Sequence, residues 1–408
     1  MEKTYDIIIG GGGIIGSMMA LALSDQGLKI ALIDDNPISQ KTELDFDGRA
    51  YALSLSTYKM LSSLKVWDDL HQSVQPILDI KVSDGLVGYG ASPFHMHFDH
   101  KEMELGPIGY MVEDRFLRYA LMERLLSNKT ISTFFETKIV SQTVKPGCVK
   151  LDLENGATFV GKILIGSDGR KSTTAERSGI KRNFHNYGQT SLVCAVSHDR
   201  EHLGEAHQFF MPAGPFAILP LINGRSSIVW TEKSGLADQI KLLSDKDFLK
   251  ELKIRFGDFR GQVRLQGKRY VFPLSLSIAK TIVSKRVALI GDAAHALHPI
   301  AGQGLNLGMR DVASLAEVII VAFRRGEDFG AQDVLARYAS WREFDRVTLY
   351  GVTHTVNKLF SNHSLVLRAL RGVGMTVINN IPTVRRSLMK EASGLGNDLP
   401  SLMMGKQI

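Results

Sequence analysis

The sequence predicts an α/β protein: a nucleotide-binding unit built on a parallel sheet, an inserted sheet-rich unit, and a helical C-terminal region. Three observations carry this. An apolar, β-branched run near the N-terminus leads straight into four consecutive glycines, Gly10 to Gly13. Two more strand-like runs, far along the chain, each end in an acid beside a glycine. Between them, residues from about 181 to 275 alternate strand-like runs with turns.

Length and composition agree. A chain of 408 residues holds two or three domains or one large discontinuous one. With 44% hydrophobic and 22% charged residues, disorder, collagen-like structure and coiled coil are excluded. The net charge of +7 is too small to argue for nucleic acid as a partner. The two cysteines, Cys148 and Cys194, exclude a disulfide framework or structural zinc site and favour a reducing compartment. The longest uncharged stretch, Ile7 to Leu23, follows Glu2 and Asp6 and contains five glycines, so it is neither a signal peptide nor a span. With no Arg-rich presequence before the first strand, the chain reads as cytoplasmic, with the inner membrane surface within reach.

The elements follow in order. Tyr5 to Ile9 is a buried strand, and Ser17 to Ser24 has helical character. Between them, Gly11, Gly13 and Gly16 form G-x-G-x-x-G in the strand–turn–helix context that motif requires. Gly11 allows the tight turn, Gly13 lets backbone approach a pyrophosphate, and Gly16 lets helix and strand pack closely. The helix N-terminus offers free N–H groups to phosphate. Lys29 to Ile33 is the second strand, and Asp34 ends it. A carboxylate there accepts from an adenosine ribose and disfavours a 2′-phosphate, which suits FAD or NAD rather than NADP.

Lys162 to Ser167 is a later strand, followed by Asp168-Gly169-Arg170. Val287 to Ile290 is another, followed by Gly291-Asp292-Ala293-Ala294-His295 and then His298-Pro299-Ile300-Ala301-Gly302-Gln303-Gly304-Leu305-Asn306. Asp292 can bond a polyol hydroxyl, and Pro299 stiffens the loop. Gly302 and Gly304 let N–H groups face a flat ring just before a helix near Leu305, whose N-terminus would stabilise negative charge on a reduced flavin. His295 and His298 shape that loop. No third ligand accompanies them, so a metal role is not favoured. His95, His97 and His100 alternate with apolar residues and read as a solvated strand face.

These motifs resemble the FAD-dependent aromatic hydroxylases, the group that includes 4-hydroxybenzoate hydroxylase, and most closely the ubiquinone-biosynthesis hydroxylases. The run GDAAHALHPIAGQGLNLGMRD is similar to their signature almost letter for letter. Asp47 to Trp67 and the tail ending in Asp398-Leu399-Pro400 also resemble that subfamily, so the similarity covers nearly the whole chain. The resemblance implies a glutathione-reductase-type FAD domain made of 1–75, 101–180 and 276–330, a substrate domain made of 76–100 and 181–275, and a helical region from 331 to 408. It implies that Gly11, Gly13, Gly16 and Asp34 bind the ADP half of FAD and that Arg49 lies near the pyrophosphate. It places Arg115 as a further FAD contact, Asp168 at the cofactor and donor path, and Asp292, beside Gly291, on the ribityl chain. The flavin loop residues would be His295, Pro299, Gly302, Gln303 and Gly304, with Leu305 and Asn306 at the helix start.

The implied chemistry is flavin-driven. Reduced flavin and O₂ give a C4a-hydroperoxide that hydroxylates an electron-rich phenol, and no protein nucleophile is needed. Electrons would come from NAD(P)H or another reductant bound transiently. The implied substrate is a polyprenylated phenol. The alternatives are a small soluble phenol, or a flavin-fold subunit that organises a ubiquinone-synthesis complex. From Gly351 to Ile408, seven Lys and Arg face two acids and alternate with Leu, Val, Ile and Met. Such a basic amphipathic surface can lie on anionic lipid.

Overall fold

A computed structural model of the chain describes residues 2–86, 90–296, 303–345, 379–396 and 398–408. Its centre is a six-stranded sheet in the order Val283–Ser284, Val287–Leu289, Ile163–Gly166, Ile7–Gly10, Ile30–Ile33, Ile131–Phe134. All pairs are parallel except the edge pair of Val283–Ser284 with Val287–Leu289. A parallel strand covered on both faces must be apolar throughout. Ile7, Ile8, Ile9, Ile30, Ala31, Leu32, Ile163, Leu164 and Ile165 are accordingly all buried. Helices Ile14–Leu23 and Gln303–Arg324 pack on this sheet and on each other, sharing one core with it.

Two small sheets flank the centre. One has four strands, Glu2–Thr4, Thr158–Gly161, Cys148–Leu153 and Ile139–Lys145. The other has three, Ala50–Ser54, Gly109–Glu113 and Val74–Ile77. The largest sheet has eight strands in the order His295–Ala296, Val263–Ala279, Arg182–His198, Arg225–Lys233, Gly214–Leu221, Glu205–Met211, Asp79–Leu86, Gly90–Asp99. Helices Ser234–Lys241 and Asp245–Phe256 cover its outer face, where Phe248, Leu252 and Phe256 meet Cys194, Phe216 and Trp230. On the inner face Ala195, Ala206 and Leu221 pack with Ile77 and Met111 of the three-stranded sheet.

Several boundaries shift from the sequence expectation. The first helix begins at Ile14, because Gly13 itself is the extended N-cap. The later helix begins at Gln303 rather than near Leu305. His95 and His97 lie on the strand Gly90–Asp99, but His100 does not; it opens a 3₁₀ turn that Asp99 caps. The eight-stranded sheet runs past residue 275 and takes its edge strand from His295–Ala296. In the C-terminal region, helices at 332–345 and Pro382–Ala392 are present. The basic residues Lys358, Arg368 and Arg371 lie outside the described residues. No helix among the described residues is long and apolar enough to cross a membrane.

Candidate functional site

The glycine motif performs three separate jobs. Gly11 has φ +104°, and a Cβ on it would stand 2.6 Å from the Ser167 carbonyl oxygen. A Cβ on Gly16 would stand 1.8 Å from the Gly11 carbonyl oxygen, so only glycine lets the helix seat on the turn. A Cβ on Gly13 would meet nothing within 4 Å. That open space lies at the N-terminus of the helix Ile14–Leu23, where the first-turn N–H groups have no intrahelical acceptor. The Ser167 hydroxyl donates to the Gly11 carbonyl at 2.7 Å, tying the turn to the next strand's loop.

Asp34 ends the second strand, as expected, and is buried. Its Oδ2 accepts from the Gly12 N–H at 2.5 Å, and its Oδ1 accepts from the Asn36 N–H at 2.8 Å. Lys41, also buried, brings its ammonium to 2.9 Å from Oδ2. The carboxylate is thus fixed beside the glycine turn, at the end of the second strand. Sequence reading did not find Lys41, because nothing in its own segment marks it.

Arg49 is half exposed and held from behind. Its guanidinium pairs with Asp47 and, at 2.9 Å, with the buried Asp114. Tyr51 donates to Asp114 at 2.7 Å, and Arg118 pairs with it at 2.5 Å. Burial alone would lower the Arg49 pKa, but Asp47 and Asp114 outweigh it and raise it above the ordinary value. The loop carrying Arg49 is braced by the large sheet: the Tyr270 hydroxyl donates to the Phe46 carbonyl at 2.6 Å, and its ring lies over Gly48. An exposed, prepositioned guanidinium of this kind suits a diphosphate. Arg115 is differently employed. It pairs with buried Glu113 at 2.8 Å and donates to the Leu44 carbonyl at 2.6 Å. Glu113 also takes Arg225 at 2.5 Å, clamping the three-stranded sheet to the eight-stranded one.

The two Asp-Gly loops lie side by side. Asp168 spends its carboxylate on the turn that follows: it accepts from Ser172 Oγ at 2.5 Å and from the Thr174 N–H at 2.8 Å. These bonds brace the start of the helix Thr173–Arg177, whose N-cap is Ser172, as a turn reading of Asp-Gly also expects. Asp292 is half exposed, and its side chain meets Arg170 Nε at 3.2 Å. Arg182, at the start of a large-sheet strand, donates to the Arg170 carbonyl and to the Asp292 carbonyl, each at 2.8 Å. It pins both loops together.

Behind Asp292 lies a buried ionic network. Asp311 is fully buried; it accepts from the Gly291 N–H at 2.9 Å and from Arg342 Nε at 2.8 Å, and His295 Nε2 stands 2.9 Å away. Burial would raise the Asp311 pKa, but His295 and Arg342 hold it below the usual carboxylate range. Asn306 was expected at the cofactor, yet its side chain ties the helix to residues 52–57. It accepts from the Ser54 N–H at 2.9 Å and Thr57 Oγ1 at 2.8 Å and donates to the Ala52 carbonyl at 2.8 Å. For Gly304, Leu305 and Asn306 the group left for a ligand is the first-turn backbone N–H. A Cβ on Gly304 would meet nothing within 4 Å, so space is open there too. His298, Pro299 and Gly302 lie outside the described residues, as does the Gln303 side chain. Among the described residues no three His, Cys, Asp or Glu side chains gather as a metal-ligating group.

The inner face of the large sheet lies beside these loops. Strand register puts Val193, Gln208, Ala217, Val229 and Tyr270 in one row across it, with Phe210, Thr231, Ser191 and Phe272 toward the next. This face is mostly apolar. It is bounded by the Tyr270 contact to the Arg49 loop on one side and by Leu276 against Leu307 on the other.

Two helix N-termini facing open space, a strand-end acid, a poised arginine and a half-exposed acid on a third loop together match an extended dinucleotide with a flat ring, which is FAD. Fold and site therefore define an FAD-dependent monooxygenase of the 4-hydroxybenzoate hydroxylase type. The FAD binding domain family model matches residues 4–344, and the chain belongs to that family. It is 39% identical over 407 residues to the ubiquinone hydroxylase UbiL of Rhodospirillum rubrum, covering 99% of this chain and 94% of that protein. It is 29% identical to the 3-demethoxyubiquinol 3-hydroxylase of Escherichia coli, covering 97% of this chain and all of that one. Among solved structures, p-nitrophenol 4-monooxygenase PnpA of Pseudomonas putida has the same fold, with a TM-score of 0.80 at 19% identity over 98% of this chain and 100% of that one.

Proposed function

We propose that this chain hydroxylates the aromatic ring of a polyprenylated phenol on the route to ubiquinone. The observation that carries the reading is the end-to-end similarity to the ubiquinone hydroxylase UbiL at 39% identity. FAD, when bound, supplies the oxygen-activating chemistry, and NAD(P)H or another transient reductant supplies electrons. The chain's own residues bind, orient and exclude water. Gly11, Gly13, Gly16, Asp34 and Arg49 hold the ADP half, and Asp292 holds the ribityl chain. The substrate ring lies on the apolar inner face, against residues such as Val229, Phe210 and Phe272. In this reading 1–75, 101–180 and 276–330 form the FAD unit, 76–100 and 181–275 the substrate unit.

A prenyl tail needs an apolar route to the enzyme. On the helix Pro382–Ala392, Val384 and Leu388 are about 40% exposed, and Arg386 and Lys390 lie on the same exposed helix. This supports peripheral binding to an anionic bilayer; a ubiquinone-synthesis complex is a further partner of this proposal. The protein is then expected to sediment with phosphatidylglycerol vesicles at low salt and to release at high salt, since such attraction is screened. No sedimentation at low salt removes the membrane part of the reading.

The test of function is the quinone profile of cells lacking the gene, read by mass spectrometry. Loss of ubiquinone with one under-hydroxylated prenylphenol supports the reading, and the mass of that compound identifies the missing oxygen. An unchanged profile in a strain with no second hydroxylase of this family overturns it in favour of a small soluble phenol.

A further inference from the structure

We infer that Arg342 is a positioning residue for the flavin-binding loop, although it lies on a separate helix and outside every motif in the sequence. The inference rests on the reading of residues 291–296 as part of the FAD site. Arg342 is fully buried on the helix at 332–345. A buried guanidinium is costly unless it is paired, so its partners show what it is for. Its Nε donates to Asp311 Oδ1 at 2.8 Å, and its Nη1 meets Asp345, which in turn pairs with Arg310 at 2.9 Å.

Asp311 hands this anchoring on. Its other oxygen, Oδ2, takes the Gly291 N–H at 2.9 Å and faces His295 Nε2 at 2.9 Å. Gly291 has φ +60°, and with His295 it brackets Asp292. One carboxylate thereby meets both ends of the short turn that presents Asp292, by a hydrogen bond at Gly291 and a close approach at His295. Two features show that the turn needs fixing from outside. Asp292 itself is half exposed and has only the half-exposed Arg170 against its side chain. Gly291 itself has positive φ, which glycine adopts without strain but its flexible backbone does not enforce, so the turn takes its shape from its contacts. With Arg342 gone, Asp311 would be a buried carboxylate short of one cation, free to reorient toward His295 or take up a proton. Either change alters the hold on the Gly291 N–H. Arg342 thus acts on the cofactor through Asp311 and touches neither FAD nor substrate.

The experiment is FAD titration of the folded apoprotein by flavin fluorescence, with visible circular dichroism of the flavin at saturation. Wild type is measured first. If wild type binds no FAD, the site reading fails; if it binds and the variants behave like it, only the role of Arg342 fails. Arg342→Met is expected to raise the FAD dissociation constant at least tenfold and to change the flavin dichroism. Arg342→Lys should recover most of the affinity. Arg260→Met is the control. It removes a buried arginine that pairs with Glu205 in the large sheet, so it costs stability without altering FAD affinity. A rise of less than threefold in Arg342→Met overturns the inference. If that variant does not accumulate folded, Arg342→Gln, which removes the charge but keeps a polar side chain at this position, is titrated instead under the same threshold.

Discussion

Substituting Gly13 by alanine separates the site from the scaffold, because the two effects run in opposite directions. At Gly13 φ is −72° and ψ −172°, which alanine adopts without strain, and its Cβ would meet no atom within 4 Å. Fewer unfolded conformations favour alanine by about 0.4–1 kcal/mol, and the weaker N-cap offsets a few tenths. The apoprotein should therefore unfold within about 1 kcal/mol of wild type. In the proposed reading the same methyl stands where the pyrophosphate would lie. Overpacking of one methyl typically costs about 1–3 kcal/mol, which is about a 5- to 150-fold loss of FAD affinity. Gly16→Ala is the contrast: its Cβ would lie 1.8 Å from the Gly11 carbonyl oxygen, so it should destabilise the apoprotein itself. The assay is urea unfolding of apoprotein beside FAD titration. Wild-type FAD affinity in Gly13→Ala would refute the placement of the diphosphate over this turn.

Asp292→Ala should cost little stability, since the side chain is half exposed with one exposed partner, yet weaken FAD by about 1–3 kcal/mol; full FAD retention on dilution would show that the ribityl chain lies elsewhere. Glu113→Ala strands Arg115 and Arg225 and should destabilise folding by about 3–5 kcal/mol in chemical denaturation, whereas a loss near zero would mean the inter-sheet clamp is dispensable. Burial, with help from Arg260 and Lys81 against Glu205, pushes the His207 pKa down to about 4. A histidine kept neutral by the fold stabilises above its unfolded pKa of about 6.5, and that stability is lost as pH falls toward 4, by about 3 kcal/mol. His207→Gln should flatten the stability profile between about pH 6.5 and 4; an unchanged acid slope would assign it to other groups.

What was legible in the sequence was what is local. Gly11, Gly13, Gly16 and Asp34 sit within one strand–turn–helix–strand unit, and each is constrained by backbone geometry that only particular residues satisfy. The central strands were legible because burial on both faces leaves no polar position in them. Arg182, Arg225 and Arg342 were not legible, because each gains its role from a partner reached only through the fold. Arg225 meets Glu113 across 112 positions, and Arg182 meets the Asp292 carbonyl across 110. The bracing bonds of Asn306 and Asp168 were not legible for a related reason. A polar side chain in a ligand-binding motif can face inward and brace the loop, and spacing alone does not show which way it points.

The threading of the central sheet also bears on how the protein is made. Ile7–Gly10 emerges first but pairs with Ile163–Gly166, which in turn pairs with Val287–Leu289. The large sheet likewise closes on His295–Ala296. During synthesis the early strands therefore wait, with open edges, for partners more than 100 positions downstream, and the carboxylate of Asp311 that secures the last loop comes later still. A nascent chain that stops short of this point holds apolar strands with open edges and lacks the Asp311 hold on the Gly291 turn.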